Sequence, residues 1–181
     1  MIPLVDISSL VTFNPISTGA IVAFALAALL LLMSGFASGS EIAFFSLSPT
    51  DINELEQHKN AIDTKIQMLR DDSERTLATI LITNNLVNVT IIMLLNYAFG
   101  LIIVFKAAWL EFVCITVLLT FLLLLFGEIM PKVYSRQNPL AFCRRAVKGV
   151  LFLRKLFWPV ENILLKSGNF AEKVIQKESH Q

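Results

Sequence analysis

Residues 121–136 read FLLLLFGEIMPKVYSR: six apolar side chains, then Gly127-Glu128, with Pro131 and Lys132 close behind. The stretch closes a longer apolar run from about Ala108 to Met130 whose only charges are Glu111 and Glu128. Working outward, two more runs match it. One is charge-free from Ile7 to Ser40 and most apolar from Ile21 to Met33; the other is charge-free from Thr76 to Phe105. A membrane crossing needs about 20 apolar residues as a helix, so all three qualify. Of the 181 residues, 55% are hydrophobic and 16% charged, against about 25% charged in an ordinary soluble domain. That excludes a soluble globular chain. The expected fold is an all-α membrane protein: three transmembrane helices, a cytoplasmic helical hairpin and a basic juxtamembrane amphipathic helix.

The charges set the boundaries. Residues 1–17 read as an extracytoplasmic tail, with Asp6 and no Lys or Arg, which argues against a signal peptide. Residues 18–137 form the membrane domain, with helices at about 18–46, 74–99 and 108–130 and a cytoplasmic helix at 49–70. Ser48-Pro49-Thr50-Asp51 opens that last helix with a cap, a first-turn proline and an acid at the positive end. Residues 138–165 read as juxtamembrane interfacial helices, with Arg144, Arg145, Lys148, Arg154 and Lys155 facing anionic headgroups and Pro159 kinking or ending the segment. Residues 166–181 read as a polar tail. Lys59, Lys65, Arg70 and Arg75 lie between the first two runs, and the remaining basic residues, Lys106 apart, follow Met130. The positive-inside rule then places the N-terminus outside and the C-terminus in the cytoplasm.

In a regular helix the N–H of residue 131 would bond the carbonyl of residue 127. Proline has none, so the Gly127 carbonyl is released beside the Glu128 carboxylate. Irregular backbone at membrane depth is tolerated where it lines a cavity or is buried in protein, and a cation would satisfy both oxygens. The structural alternative is a Glu128–Lys132 pair at i, i+4, with Pro131 marking a helix break. The second run carries Thr79, Thr83, Asn84, Asn85 and Asn88, as ligands or as interhelical glue. The first ends in Ser34-Gly35-Phe36-Ala37-Ser38-Gly39-Ser40-Glu41, where Ser34 and Gly35 suit close helix packing. All three clusters lie toward the cytoplasmic parts of their helices and could aim oxygens at one cavity. Hydroxyl, amide, carbonyl and carboxylate ligands fit Mg²⁺, Ca²⁺ or Na⁺ rather than zinc or copper. Cys114 and Cys143 form no metal or redox spacing. No His-Glu-x-x-His, aspartate pair or Ser/His set sits in a span, and His58 and His180 lie in polar segments, so no enzyme and no nucleic acid partner is expected.

Ser38-Gly39-Ser40-Glu41, Thr83-Asn84-Asn85-Leu86-Val87-Asn88 and Gly127-Glu128-Ile129-Met130-Pro131-Lys132 resemble, in order and spacing, the CorC/cyclin-M (CNNM) magnesium transporter family over residues 18 to 165. The resemblance implies a homodimer in a bacterial inner membrane that exports Mg²⁺ with Na⁺ coupling. It implies an ion site from Ser38 or Ser40, Asn85 or Asn88, the Gly127 carbonyl and Glu128; in a transporter, Glu41 and Asn84 would serve a second charge or a Na⁺ site. Ile42 stands where many members have threonine. Members usually continue into CBS domains that bind ATP, so this chain reads as cut before them. Ile42 to Pro49 resembles the gliding-motility branch of Bacteroidota. The competing function is a structural or assembly subunit of a secretion or gliding-motility machine.

Overall fold

The computed structural model describes residues 10–57 and 60–179; His58, His180 and most of the expected N-terminal tail lie outside them. The chain runs β1 (Val11–Phe13), α1 (Thr18–Phe45), α2 (Pro49–Gln57), α3 (Ala61–Asp71), α4 (Ser73–Ile102), β2 (Ile103–Phe105), α5 (Ala108–Leu122), a π-helical segment (Leu123–Ile129), α6 (Met130–Gln137), α7 (Pro139–Leu156) and α8 (Trp158–Ser179). Among the described residues three helices are long and apolar enough to cross a membrane: Thr18–Phe45, Ser73–Ile102 and Ala108–Gln137. At about 1.5 Å per residue each exceeds the roughly 30 Å hydrocarbon core, so their polar ends can reach the headgroups.

The third helix corrects the sequence reading. It does not end at Met130, and Pro131 does not break it. From Leu123 to Ile129 the backbone widens, and the Met130 N–H donates to the Leu125 carbonyl. Pro131 is then the second residue of α6, inside a helix that runs on to Gln137, so its missing N–H leaves a carbonyl of the preceding turn without a donor. The segment beyond residue 165, expected as a polar tail, is helical to Ser179.

The described chain divides into two compact units. The first takes the residues up to Gly35 and Asn85–Pro131. Its core is Ala27, Val87, Ile91, Leu95 and Leu119, with Phe24 and Phe99 edge to face at 5.1 Å. A feature missing from the sequence reading closes one end: β1 pairs antiparallel with β2, Thr12 opposite Val104. Asn14 N–H donates to the Ile102 carbonyl, and Lys106 N–H to that of Leu10.

The second unit takes Phe36–Asn84 and the residues from Lys132. Ser48 and Asp51 cap α2 reciprocally, each side chain accepting from the other's N–H at 3.2 and 3.1 Å. Asn60 caps α3 and Asn138 caps α7. Phe44, Leu55, Ile66, Leu69, Val147 and Val150 build the core, each burial contributing about 1.5–3 kcal/mol. Two glycines seat aromatic rings: a Cβ on Gly39 would lie 2.6 Å from Phe142, and one on Gly149 2.7 Å from Phe36.

The basic helix α7 is amphipathic, but its arginines do not all face headgroups. Arg144 donates to Asp63 at 3.1 Å and Glu54 at 3.2 Å. Arg154 holds Asp72 at 2.7 Å. Fully buried Asp63 needs a cation more than lipid does, since an unpaired buried carboxylate is costly. Pro159 starts α8 after a break at Phe157.

Candidate metal site

In the first unit, Ser34 and Gly35 of α1 pack against the π-helical segment. A Cβ on Gly127 would lie 3.1 Å from Ser34 Oγ, and one on Gly35 2.9 Å from the Pro131 ring and 3.4 Å from the Phe126 carbonyl oxygen. Side chains at 35 and 127 would push these backbones apart. Ser34, fully buried, donates to Asn88 Oδ1 at 2.6 Å. Three helices thus bring Ser34, Asn88 and Gly127 together. Pro131 can donate neither to Phe126 in the wide register nor to Gly127 in the tight one, so a carbonyl loses its donor in either.

Glu128, next in the chain, is half-buried. It makes no hydrogen bond or ion pair among the described residues, so the interfacial pair that would explain it structurally is not made. Asn85 is exposed and is not brought to the cluster. Ser34 is the member that sequence reasoning read as suited to close packing and left out of the ion site. Its spacing of four from Ser38, which puts both hydroxyls on one helical face, was the available signal.

The second unit holds a smaller cluster. Ser38 Oγ donates to Asn84 Oδ1 at 3.5 Å, the long end of the range. Ser40 is fully buried, and its hydroxyl has no partner among the described residues. Glu41 and Asn84 line a cleft of about 130 Å³ with Leu77, Ile80 and Leu81.

Among the described residues no three His, Cys, Asp or Glu side chains converge as a metal-binding group. A cation held at the first cluster would meet mostly neutral oxygens and one carboxylate. That donor set suits a hard ion that keeps part of its water. Sequence reasoning also missed Glu161, fully buried in the second unit beside the Thr79 hydroxyl.

A family profile for the cyclin M transmembrane N-terminal domain matches residues 25–181. A UPF0053 protein of Synechocystis is 28% identical over 134 residues, 73% of this chain and 37% of that protein. A chloroplastic DUF21 domain-containing protein of Arabidopsis thaliana is 32% identical over 137 residues, 76% of this chain and 20% of that protein. A UPF0053 protein of Haemophilus influenzae is 31% identical over 141 residues, 76% of this chain and 32% of that protein. The chain therefore spans well under half the length of these relatives.

Proposed function

The chain belongs to the cyclin M transmembrane-domain family, and from that premise we propose that it is the membrane domain of a divalent cation transporter whose cargo is Mg²⁺. The observation that carries this reading is the widened turn at Leu123–Ile129, which sets Gly127 against the Ser34–Asn88 pair and leaves Glu128 without a protein partner. In this reading Glu128 supplies the charge, while Ser34, Asn88 and a released carbonyl replace part of the ion's water. Wide helical turns recur at functional sites, and an ionisable group without a partner at membrane depth is a functional residue by default.

The Ser38–Asn84 pair, the Ser40 hydroxyl and Glu41 form a second polar cluster, which we assign to Na⁺ or a second charge. The protein works as a homodimer in the bacterial inner membrane, N-terminus outside, and the full-length protein carries ATP-binding CBS domains in the cytoplasm.

The test is Mg²⁺ flux and Mg²⁺-dependent melting of the purified full-length protein, reconstituted in liposomes for flux, in wild type and Glu128→Gln. Flux and Mg²⁺ protection in wild type, both lost in the variant, are expected. A variant that transports at the wild-type rate sinks the site. A wild type that moves no ion favours the assembly-subunit reading.

A further inference from the structure

Two adjoining cavities of about 310 and 140 Å³ lie between α4 and α5 in the first unit, and both are lined by Asn96, Ile115 and Thr116. Glu111 stands in the wall of the larger, near β2. Thr120 and Leu123 line the smaller. Asn96, Thr116 and Thr120 are exposed, and none has a hydrogen-bond partner among the described residues. Threonines on α4 behave differently: Thr83 and Thr90 each donate to the carbonyl one turn back, at 2.8 Å. The opposite case is on α5 itself, where Val113, Val117 and Phe121 are exposed and suit lipid.

Helical spacing ties this groove to the ion cluster. Asn88, Ile92 and Asn96 fall at i, i+4, i+8 on α4, so they share one face. Thr116, Thr120, Leu123 and Gly127 follow at steps of four, three and four along the third helix. Both stripes start at the groove, pass one apolar level at Ile92 and Leu123, and end at Asn88 and Gly127. Polar side chains cannot be left to hydrocarbon without a partner, and a roomy cavity with several polar groups holds water.

We propose that this groove is a water-filled vestibule for a hydrated divalent cation, separated from the Ser34–Asn88–Gly127 cluster by an apolar gate at Ile92 and Leu123. Glu111 concentrates cations at its mouth. Asn96, Thr116 and Thr120 hold the hydration shell that Mg²⁺ gives up reluctantly. The apolar level closes by dewetting. The cargo rests on the transport reading above; the presence of water does not.

The experiment uses the full-length protein in liposomes with Cys114→Ser, Cys143 being buried in the second unit's core. Single cysteines are placed by Asn96→Cys, Thr116→Cys and Thr120→Cys, with Val117→Cys and Phe121→Cys as lipid-facing controls. A membrane-impermeant cationic thiosulfonate is added on the side of the β1–β2 pair. Thiols in lipid stay protonated and inert, so the three groove positions should react at least about tenfold faster than the controls, and Mg²⁺ should slow them. Thr120→Val should lower flux while keeping Mg²⁺-dependent melting at the Glu128 site. Equally slow labelling at all five positions overturns the vestibule. So does spontaneous Thr116→Cys cross-linking between two copies, which would make the groove a subunit seam. Selective labelling in a protein whose wild type moves no ion supports the vestibule and rejects the transport reading.

Discussion

The residues around α7 in the second unit and those along the third long helix in the first put polar groups to opposite uses. In the second unit, the charges around α7 are held by protein groups: Arg144 by Asp63 and Glu54, Arg154 by Asp72, and Arg70 Nε by the Phe44 carbonyl at 3.0 Å, with Glu41 an exception among the described residues. In the first, Glu128, Asn96, Thr116 and Thr120 have no protein partner among the described residues. A buried charge that finds its partner inside the chain fastens helices together. One kept without a partner, on helices held by apolar packing, stays available to something that is not protein.

The sharpest break in that contrast is Glu128→Gln. A charge at membrane depth costs roughly 2.5–3.5 kcal/mol on insertion scales, so removing it should leave the ion-free protein as stable or slightly more so. Mg²⁺ flux should fall at least about 100-fold, since even outer partners of metal ligands are worth roughly 10–100-fold. Flux assays and melting without Mg²⁺ read the two effects separately. A variant that loses flux because it unfolds would place Glu128 with the structural charges of the other unit.

Asp63→Ala should do the reverse. Removing one partner of a buried pair costs roughly 3–5 kcal/mol. The Arg144 side chain is 35% exposed, so water recovers part of that, and about 2–3 kcal/mol is expected. Chemical denaturation in detergent measures it, while flux per folded molecule should be unchanged.

Much of this was legible in the sequence because composition and helix ends are local. Three apolar runs gave three long helices, and Ser48-Pro49-Thr50-Asp51 announced the cap of α2. The Gly127–Pro131 spacing marked where the third helix departs from regularity. The form of that departure was not legible: a missing N–H can break a helix or widen it, and packing of Ser34 and Gly35 against the turn goes with the second. Ser34 looked like a packing residue because small side chains serve both roles. The partners of Arg144 and Arg154 were hidden for a different reason. They lie 81 and 82 residues away, and nothing local distinguishes an arginine awaiting an acid from one facing lipid. The β1–β2 pair joins two three-residue strands, too short for any alternation to show.

Smaller effects should follow at the glycines of the second unit. Gly39→Ala and Gly149→Ala each place a Cβ against an aromatic ring, and overpacking costs typically about 1–3 kcal/mol. The low end applies, because the contact is with ring tips that can swing. A double-mutant cycle of Gly149→Ala with Phe36→Leu should recover the loss. Independent effects would mean that the ring is not seated on the glycine.

The smallest expected effect tests whether Glu161 belongs with the matched charges of the second unit. Glu161 is fully buried. Its Oε2 lies 3.8 Å from Arg75 Nη1, too far for a hydrogen bond, and neither atom has a partner among the described residues. The Thr79 hydroxyl lies 2.9 Å from the Arg75 carbonyl and also touches Glu161 Oε1. One hydroxyl proton cannot serve both acceptors. A proton on Glu161 completes the chain, with the carboxyl donating to Thr79 and Thr79 to the carbonyl. Burial pushes this carboxyl above its ordinary value, the Thr79 hydrogen bond and the Arg75 and Arg154 charges oppose that, and Asp72 adds to it. A group raised in the folded state contributes stability that is complete below its unfolded value, near pH 4.3, and is lost as pH rises through the folded one. Wild-type melting should therefore decline with rising pH across that window relative to Glu161→Gln, whose amide can donate to Thr79 at every pH. Melting that instead rises with pH relative to Glu161→Gln would mean that Glu161 is ionised and held by Arg75, and parallel curves would mean that folding leaves its affinity for the proton unchanged; either result overturns the protonated carboxyl.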